Sequence, residues 1–298
     1  MSVMRKTIVA GCLAVVLAPL PASAWGFEAH RFIMDRAIAL LPETIRPLFD
    51  RHRATLVERS IDPDLWIAAG FEEEAPNHFL DLDWEGYGKP PYKELPRDLT
   101  EAIAKFGRKR VQENGTVPWR TEEFFGNLRR AFESYGRRGP FGRHDILLFS
   151  ATLAHYVSDA HVPFHAVLNY DGQLTDQHGI HARFEAMMFE RYRARLTIAP
   201  KPARAIGNPR NFLFDVIVEG AALVPPILRA DLEAIGARDV YDEAYYERFF
   251  QVNRAVMEQR LNESITAVAG MIIGAWEAAG KPPVPLDPPQ PPQRKRRS

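Results

Sequence analysis

Two histidine–carboxylate pairs at helical spacing constrain this chain more than any other feature. His155 stands four residues before Asp159, and His181 stands four residues before Glu185. Residues four apart on an α-helix lie on the same face, so each pair presents an imidazole beside a carboxylate. Each pair is half of a metal site.

The segment between the pairs is expected to bring a third histidine to the same place. Pro163 lacks an N–H and restricts the residue before it, so the first helix should end near Val162. His165 would then turn back toward the site. The helix before it, predicted over residues 145–158, is apolar enough to be central, and a buried His–Asp pair must be satisfied by a metal ion or by mutual hydrogen bonding.

The N-terminal residues have the pattern of an export signal. Arg5 and Lys6 precede an apolar run to Leu20 and a small-residue cleavage site that ends at Ala24. Cleavage there would make Trp25 the mature N-terminus. The apolar run is too short to span a membrane, so we expect a soluble, exported protein, either periplasmic or secreted.

Cys12 is the only cysteine in the chain. It stands in a sequence that resembles a lipoprotein attachment site, but the apolar run before it is short and continues beyond it, so lipidation is the less favoured alternative. A mature chain without cysteine has no thiolate ligands. Any metal must therefore be held by His, Asp, Glu and backbone groups.

The periodicity predicts an all-α, single-domain, multi-helix bundle, with no convincing alternating strand, internal repeat or glycine-rich phosphate loop. We expect a signal peptide over residues 1–24, one domain over 25–280 and a disordered, proline-rich basic tail over 281–298. Without signal and tail, the body has a modest acidic excess of roughly −6, so a strongly basic nucleic-acid groove is not evident.

Further candidate ligands precede the two pairs. His30 lies five residues after Trp25, and Asp64 and His78 follow. Alone, His30 is more simply an ordinary surface or core residue, and Asp64 or its neighbour Asp62 is more simply a helix N-cap. Both aspartates stay open as ligands, with Asp64 preferred for its spacing to His78.

Taken in order, these motifs resemble the superfamily of zinc-dependent phospholipases C and zinc-dependent single-strand nucleases. The resemblance runs from Trp25 to Glu185 in its motifs and to about residue 280 in fold. It implies an all-α bundle of the phospholipase C/nuclease type that holds three zinc ions in a cleft.

The resemblance also implies the ligand sets. The first zinc ion would bind Asp64, His78, His155 and Asp159. The second would bind His165, His181 and Glu185. The third would bind the α-amino nitrogen and carbonyl oxygen of Trp25 together with His30, and would share Asp159. An amine ligand must be deprotonated and free, so the third site would require cleavage before Trp25.

The implied activity is hydrolysis of phosphodiesters, in which zinc ions lower the pKa of a bridging water and stabilise charge on the phosphate. Asp64 would help to orient or deprotonate that water. The Trp25–His30 spacing resembles the nuclease branch, whereas Glu185 and the Pro63–Asp64 pair resemble the phospholipase branch. We favour a phospholipase C-like enzyme, with a single-strand nuclease as the alternative.

The substrate would accordingly be a phospholipid or a single-stranded nucleic acid, and no obligate protein partner is evident. Six aromatic residues are candidates for base stacking or for transient contact with a membrane surface, although core packing is the default for most of them. They are Trp66, Phe71, Phe79, Tyr87, Tyr92 and Tyr170. A third hypothesis is a non-catalytic exported zinc-binding protein.

Overall fold

A computed structural model describes residues 26–139 and 141–286 of the chain. Within these ranges the backbone forms helices and their connections and no β-strand, so the predicted all-α, single-domain fold is confirmed. The predicted signal peptide, Cys12, Trp25 and the tail from residue 287 lie outside the described residues.

The first half of the chain consists mainly of short helices. They are α1 (Phe27–Ile38), α2 (Arg46–Arg51), α3 (Arg53–Arg59), α4 (Asp62–Ala68), α5 (Leu99–Phe106) and α6 (Arg108–Glu113), with 3-10 helices at Glu72–His78 and Glu85–Tyr87. Longer helices follow: α7 (Val117–Gly136) and α8 (Gly142–Asp159), then a 3-10 helix at Pro163–Ala166. Three candidate ligands, His30, Asp64 and His78, therefore lie on short helical elements.

The second half begins with one continuous helical stretch of mixed type. It comprises α9 (Ile180–Ala182), a π-helical turn (Arg183–Met187), α10 (Met188–Tyr192) and a 3-10 turn (Arg193–Arg195). The two longest helices follow, α11 (Pro209–Ile235) and α12 (Glu243–Ala278).

Helix α8 is the centre of the bundle, as the apolar sequence over 145–158 predicts. It packs against α1, α3, α7 and α12, and every residue from Ser150 to Asp159 is buried. Helix α8 ends at Asp159, and turn hydrogen bonds continue to Val162. The backbone of Val162 is extended (ψ 121°), which is the conformation that Pro163 favours in the residue before it. The last turn of α8 thus places Asp159 in the core.

Pro225 and Pro226 lie within α11 and do not interrupt it, although two prolines inside a helical pattern would ordinarily predict a break. Both prolines face solvent, so water can satisfy the carbonyl groups that lose their helical partners. Helix α11 is long and apolar enough to span a membrane (mean hydropathy 1.6), but it packs against α7 and α12, and a core helix of a soluble protein has the same properties.

Residues 281–286, the described part of the predicted tail, lie against the ends of α7 and α12. The indole nitrogen of Trp276 donates to the carbonyl oxygen of Pro282 at 2.9 Å, and the Tyr135 hydroxyl donates to that of Pro285. Val284 is buried. This segment extends the core beyond the end of α12.

Candidate metal centre

The fold gathers eight of the nine predicted ligand residues into two neighbouring clusters of buried side chains. The first contains His30, Asp64, His78, His155 and Asp159, and the second contains His165, His181 and Glu185. Such groups of imidazoles and carboxylates can hold metal ions. The ninth residue, Trp25, lies outside the described residues.

Asp159 is the centre of the first cluster and is fully buried. One of its oxygens (Oδ1) lies 3.2 Å from Nε2 of His30. The other (Oδ2) lies 3.0 Å from Nδ1 of His78 and 3.2 Å from Nε2 of His155. The rings of His30 and His155 are stacked with their centroids 4.1 Å apart. One carboxylate therefore faces three imidazoles that come from α1, the Glu72–His78 turn and α8.

Asp64, and not Asp62, faces the first cluster. Its Oδ1 atom lies 3.6 Å from Nδ1 of His78 and 3.7 Å from Nε2 of His155. Asp62 instead forms an ion pair with Arg59 at 2.8 Å on the partly exposed side of α4. Residues two positions apart on a helix point in directions about 200° apart, so only one of these aspartates can face the core.

The second cluster is built from the 3-10 turn after α8 and from the mixed helix that begins at Ile180. The His181 Nε2 atom lies 3.0 Å from Oε2 of Glu185, and the His165 Nε2 atom lies 3.9 Å from the same oxygen. The rings of His165 and His181 are nearly perpendicular, with centroids 4.9 Å apart. Pro163 thus brings His165 back to the second histidine–carboxylate pair.

Backbone hydrogen bonds hold the two histidine-bearing loops side by side. The N–H groups of Leu80 and Leu82 donate to the carbonyl oxygens of His165 and Ala166, at 2.9 and 3.0 Å. These bonds join the segment after His78 to the 3-10 turn that carries His165, so the two clusters are neighbours.

Backbone carbonyls also orient two of the imidazoles for metal binding. Nδ1 of His155 lies 2.9 Å from the carbonyl oxygen of Ser60, and Nδ1 of His165 lies 2.6 Å from that of His78. A carbonyl oxygen only accepts, so each Nδ1 carries the proton when the ring is neutral. The lone pair is then on Nε2, which faces the carboxylates, and this is the arrangement of metal-binding histidines.

Burial and charge give the two clusters different protonation in the absence of metal. Burial by itself lowers the pKa of His155, but Asp159 and Asp64 outweigh it and raise the pKa to about 9. Burial opposes ionisation of Asp159, yet the facing histidines hold its pKa well below the usual range. In the second cluster, burial lowers the pKa of His165 to about 3 and that of His181 to about 4.

A cavity of about 430 Å³ opens beside both clusters. Ligand candidates from the first cluster (Asp64, His78) and from the second (His165, His181) line it together. Its other lining residues are Ile67, Ala75, Phe79, Asp81, Glu113, Phe164 and Tyr170. A molecule in this cavity would therefore contact both candidate metal sites.

Two acidic residues near the clusters have environments that the sequence did not indicate. Glu74 belongs to an acidic triplet that resembles a solvated loop, yet it is buried, accepts hydrogen bonds from Arg120 and Tyr156, and has its Oε1 atom 3.9 Å from Nε2 of His78. Asp81 is buried at the cavity wall, where burial and then the charge of Asp83 raise its pKa to about 8. In the sequence, only their positions within four residues of His78 indicate that either could lie near the site.

The six aromatic candidates have different positions. Tyr87 is fully buried in the core. Phe79 and Tyr170 line the cavity, and the ring centroid of Tyr170 lies 6.2 Å from that of His181. Phe71 is exposed. Two of the six aromatic residues are therefore placed to touch a molecule bound beside the clusters.

A scan against protein-family models and a search of curated proteins returned no match to this chain.

Proposed function

We propose that this protein is an exported zinc-dependent phosphodiester hydrolase of the phospholipase C type. The observation that carries the proposal is the convergence of eight buried His, Asp and Glu side chains, from segments far apart in sequence, into two neighbouring clusters, with four of the eight lining one cavity. The order and spacing of the same residues resemble the zinc-dependent phospholipase C and single-strand nuclease superfamily.

The residues suit zinc among the common protein metals. Zinc favours imidazole nitrogen and carboxylate oxygen, and harder ions such as Ca²⁺ and Mg²⁺ favour oxygen alone. Asp64, His78, His155 and Asp159 would hold one ion, and His165, His181 and Glu185 a second. Trp25 and His30 would hold a third, with Asp159 shared. Bound zinc would supply Lewis-acid activation of the phosphodiester and of water.

The protein side chains would position the reactants. Asp64 is the carboxylate of the first cluster that lines the cavity, so it can orient a water molecule or accept its proton. Carbonyl oxygens of Ser60 and His78 keep the rings of His155 and His165 in the ligand orientation before substrate arrives.

The cavity wall favours a phospholipid over a polynucleotide. Its lining includes the carboxyl groups of Asp64 and Glu113 and, among the described residues, no lysine or arginine. Nucleic-acid sites are generally basic because they must neutralise several phosphates. A single phosphodiester with a neutral or cationic head group would meet less repulsion here.

A single-strand nuclease is the second candidate, and Phe79 and Tyr170 are the observation that favours it. Both aromatic side chains line the cavity beside the clusters, and aromatic rings near a hydrolytic site can stack on splayed bases.

The test is hydrolysis by the protein beginning at Trp25 and purified with zinc. Phosphatidylcholine vesicles and single-stranded nucleic acid are offered in parallel, each with and without a chelator. Chelator-sensitive release of phosphorylated head group alone supports the proposal, whereas release of nucleotides alone establishes the nuclease function. Turnover of neither substrate by a zinc-loaded protein would favour the non-catalytic zinc-binding alternative.

A further inference from the structure

A buried polar network lies directly behind the second cluster. Arg183 stands between His181 and Glu185 in sequence, at the first residue of the π-helical turn. Its guanidinium NH2 lies 3.1 Å from Oδ1 and 3.2 Å from Oδ2 of Asp231 on α11. The hydroxyl of Tyr245 on α12 also donates to Asp231.

The same guanidinium fixes the end of the loop that precedes His181. It donates to the carbonyl oxygen of His178 at 2.6 Å and to that of Gln177 at 3.1 Å. The Gln177 side chain in turn donates to Asp231 at 2.8 Å. One arginine therefore joins the loop, the ligand-bearing helix and α11, and Tyr245 adds α12.

These groups are almost completely removed from solvent. Arg183, Asp231, Tyr245 and Gln177 are each no more than 4% exposed. Burying an ion pair costs desolvation energy that its own attraction often fails to recover, and an apolar replacement is frequently as stable. Such a pair can instead favour one arrangement of the surrounding segments, because its buried hydrogen bonds are all satisfied in only one geometry.

The backbone that carries Glu185 needs such a constraint. π-Helical turns are rare and are frequently found at functional sites. Here the turn spans Arg183–Met187 and includes the fully buried Glu185. A small rotation of this turn would move the Glu185 carboxylate away from His165 and His181.

We infer that the Arg183–Asp231–Tyr245 network is a positioning device that sets the metal affinity of the His165–His181–Glu185 cluster. The network touches neither the cavity nor the proposed metal ion. It acts through the backbone of the π-helical turn and through the loop end at Gln177. The inference rests on metal binding at this cluster, which is part of the proposed function, but not on the identity of the substrate.

The test compares metal binding by the purified wild-type protein and three variants. Asp231→Asn removes the counter-ion of Arg183 at constant shape, and Tyr245→Phe removes one hydrogen bond. Glu263→Gln is the control for removing a carboxylate from a buried arginine away from both clusters, because Glu263 is a partly exposed partner (2.8 Å) of the buried Arg260. After chelator treatment, each protein is titrated with Co²⁺ and followed by its visible absorption.

Loss of a side chain that hydrogen-bonds directly to a metal ligand typically weakens binding by about 10–100-fold. Asp231 acts one step further out, through Arg183 and the backbone, so we expect a loss near the lower end of that range, roughly tenfold, in Asp231→Asn for one class of site. We expect a smaller loss in Tyr245→Phe and wild-type binding in Glu263→Gln. The first cluster should bind Co²⁺ as in the wild type. Tyr245→Phe keeps the ring and all charges, so it carries the test if Asp231→Asn does not fold.

Thermal unfolding of the metal-free proteins separates positioning from a purely structural role. If the variants melt at lower temperature but bind Co²⁺ with wild-type affinity and stoichiometry, the inference is wrong. It is also wrong if all classes of site weaken equally. A wild-type protein that binds no Co²⁺ or Zn²⁺ would overturn the proposed function as well, whereas metal binding without hydrolysis would overturn that function alone.

Discussion

The two clusters should bind metal with different dependence on pH. In the first cluster, Asp159 and Asp64 outweigh the effect of burial and raise the pKa of His155 to about 9. In the second, burial lowers the pKa of His165 to about 3 and that of His181 to about 4. A metal ion must therefore displace a proton from His155 near neutral pH, whereas the rings of the second cluster are already neutral.

The size of the effect follows from one displaced proton. Below pH of about 9, each fall of one pH unit should weaken binding at the first cluster about tenfold, or about 1.4 kcal/mol. Between pH 8 and pH 6 the loss is about 100-fold, or about 2.7 kcal/mol. Over the same range the second cluster should show almost no change, because the pKa values of both its histidines lie below the range.

Calorimetric titration of the metal-free protein with Zn²⁺ measures this difference directly. Titrations at several pH values between about 6 and 8, in two buffers of different ionisation enthalpy, give the affinity and the number of protons released per ion. His155→Ala and His165→Ala identify which binding event belongs to which cluster. The second cluster should release no proton from its histidines.

Equal pH slopes for the binding event lost in His155→Ala and the event lost in His165→Ala would refute the reasoning, and so would a steeper slope at the second cluster. Either result would mean that Asp159 and Asp64 do not hold a proton on His155 in the metal-free protein.

Three further results are expected. Asp64→Asn should lower kcat by about 10²–10⁴-fold, the usual contribution of a general base, for whichever phosphodiester the hydrolysis assay shows to be a substrate. Asp62→Asn alters only an ion pair on the partly exposed side of α4, so its kcat should stay within about twofold of wild type. Equal losses in the two variants would contradict the assignment of Asp64. Gly115→Ala should lower the free energy of unfolding in urea by about 1–3 kcal/mol more than Gly107→Ala. Both glycines have positive φ, but only a Cβ at position 115 would overlap a neighbouring backbone carbonyl. Equal urea midpoints for the two variants would show that the backbone around Gly115 shifts to make room for the Cβ. Extra residues before Trp25 should reduce the zinc content, measured by elemental analysis, by about one ion per chain, and full content would exclude the amino group as a ligand.

The helical fold and the ligand pairs were predictable because they depend on local spacing. The apolar run over 145–158 predicts α8, and the structure has it at Gly142–Asp159. His155 with Asp159, and His181 with Glu185, share a helix face because four residues make about one turn. Pro163 ends the first helix for an equally local reason, the missing N–H and the restricted residue before it.

Other features depend on neighbours that are distant in sequence. The acidic triplet at 72–74 contains no sign that Glu74 is buried, because its partners Arg120 and Tyr156 come from α7 and α8. Helix α11 continues through Pro225 and Pro226 because both lie on its solvent side, which the sequence alone does not specify. In the sequence, Arg183 belongs to an arginine-rich helical segment, in which a surface position is the simplest expectation. In the structure it is buried against Asp231 of α11.

The sequence by itself therefore determined the helical class of the fold, the order of the candidate ligands and the pairing of residues one turn apart. The tertiary structure decided that His30 and His78 meet Asp159, that Asp64 and not Asp62 faces the same cluster, and that two clusters share one cavity. The physical reason is that helix periodicity acts over a few residues, whereas these contacts join separate segments whose approach is set by packing of the whole core.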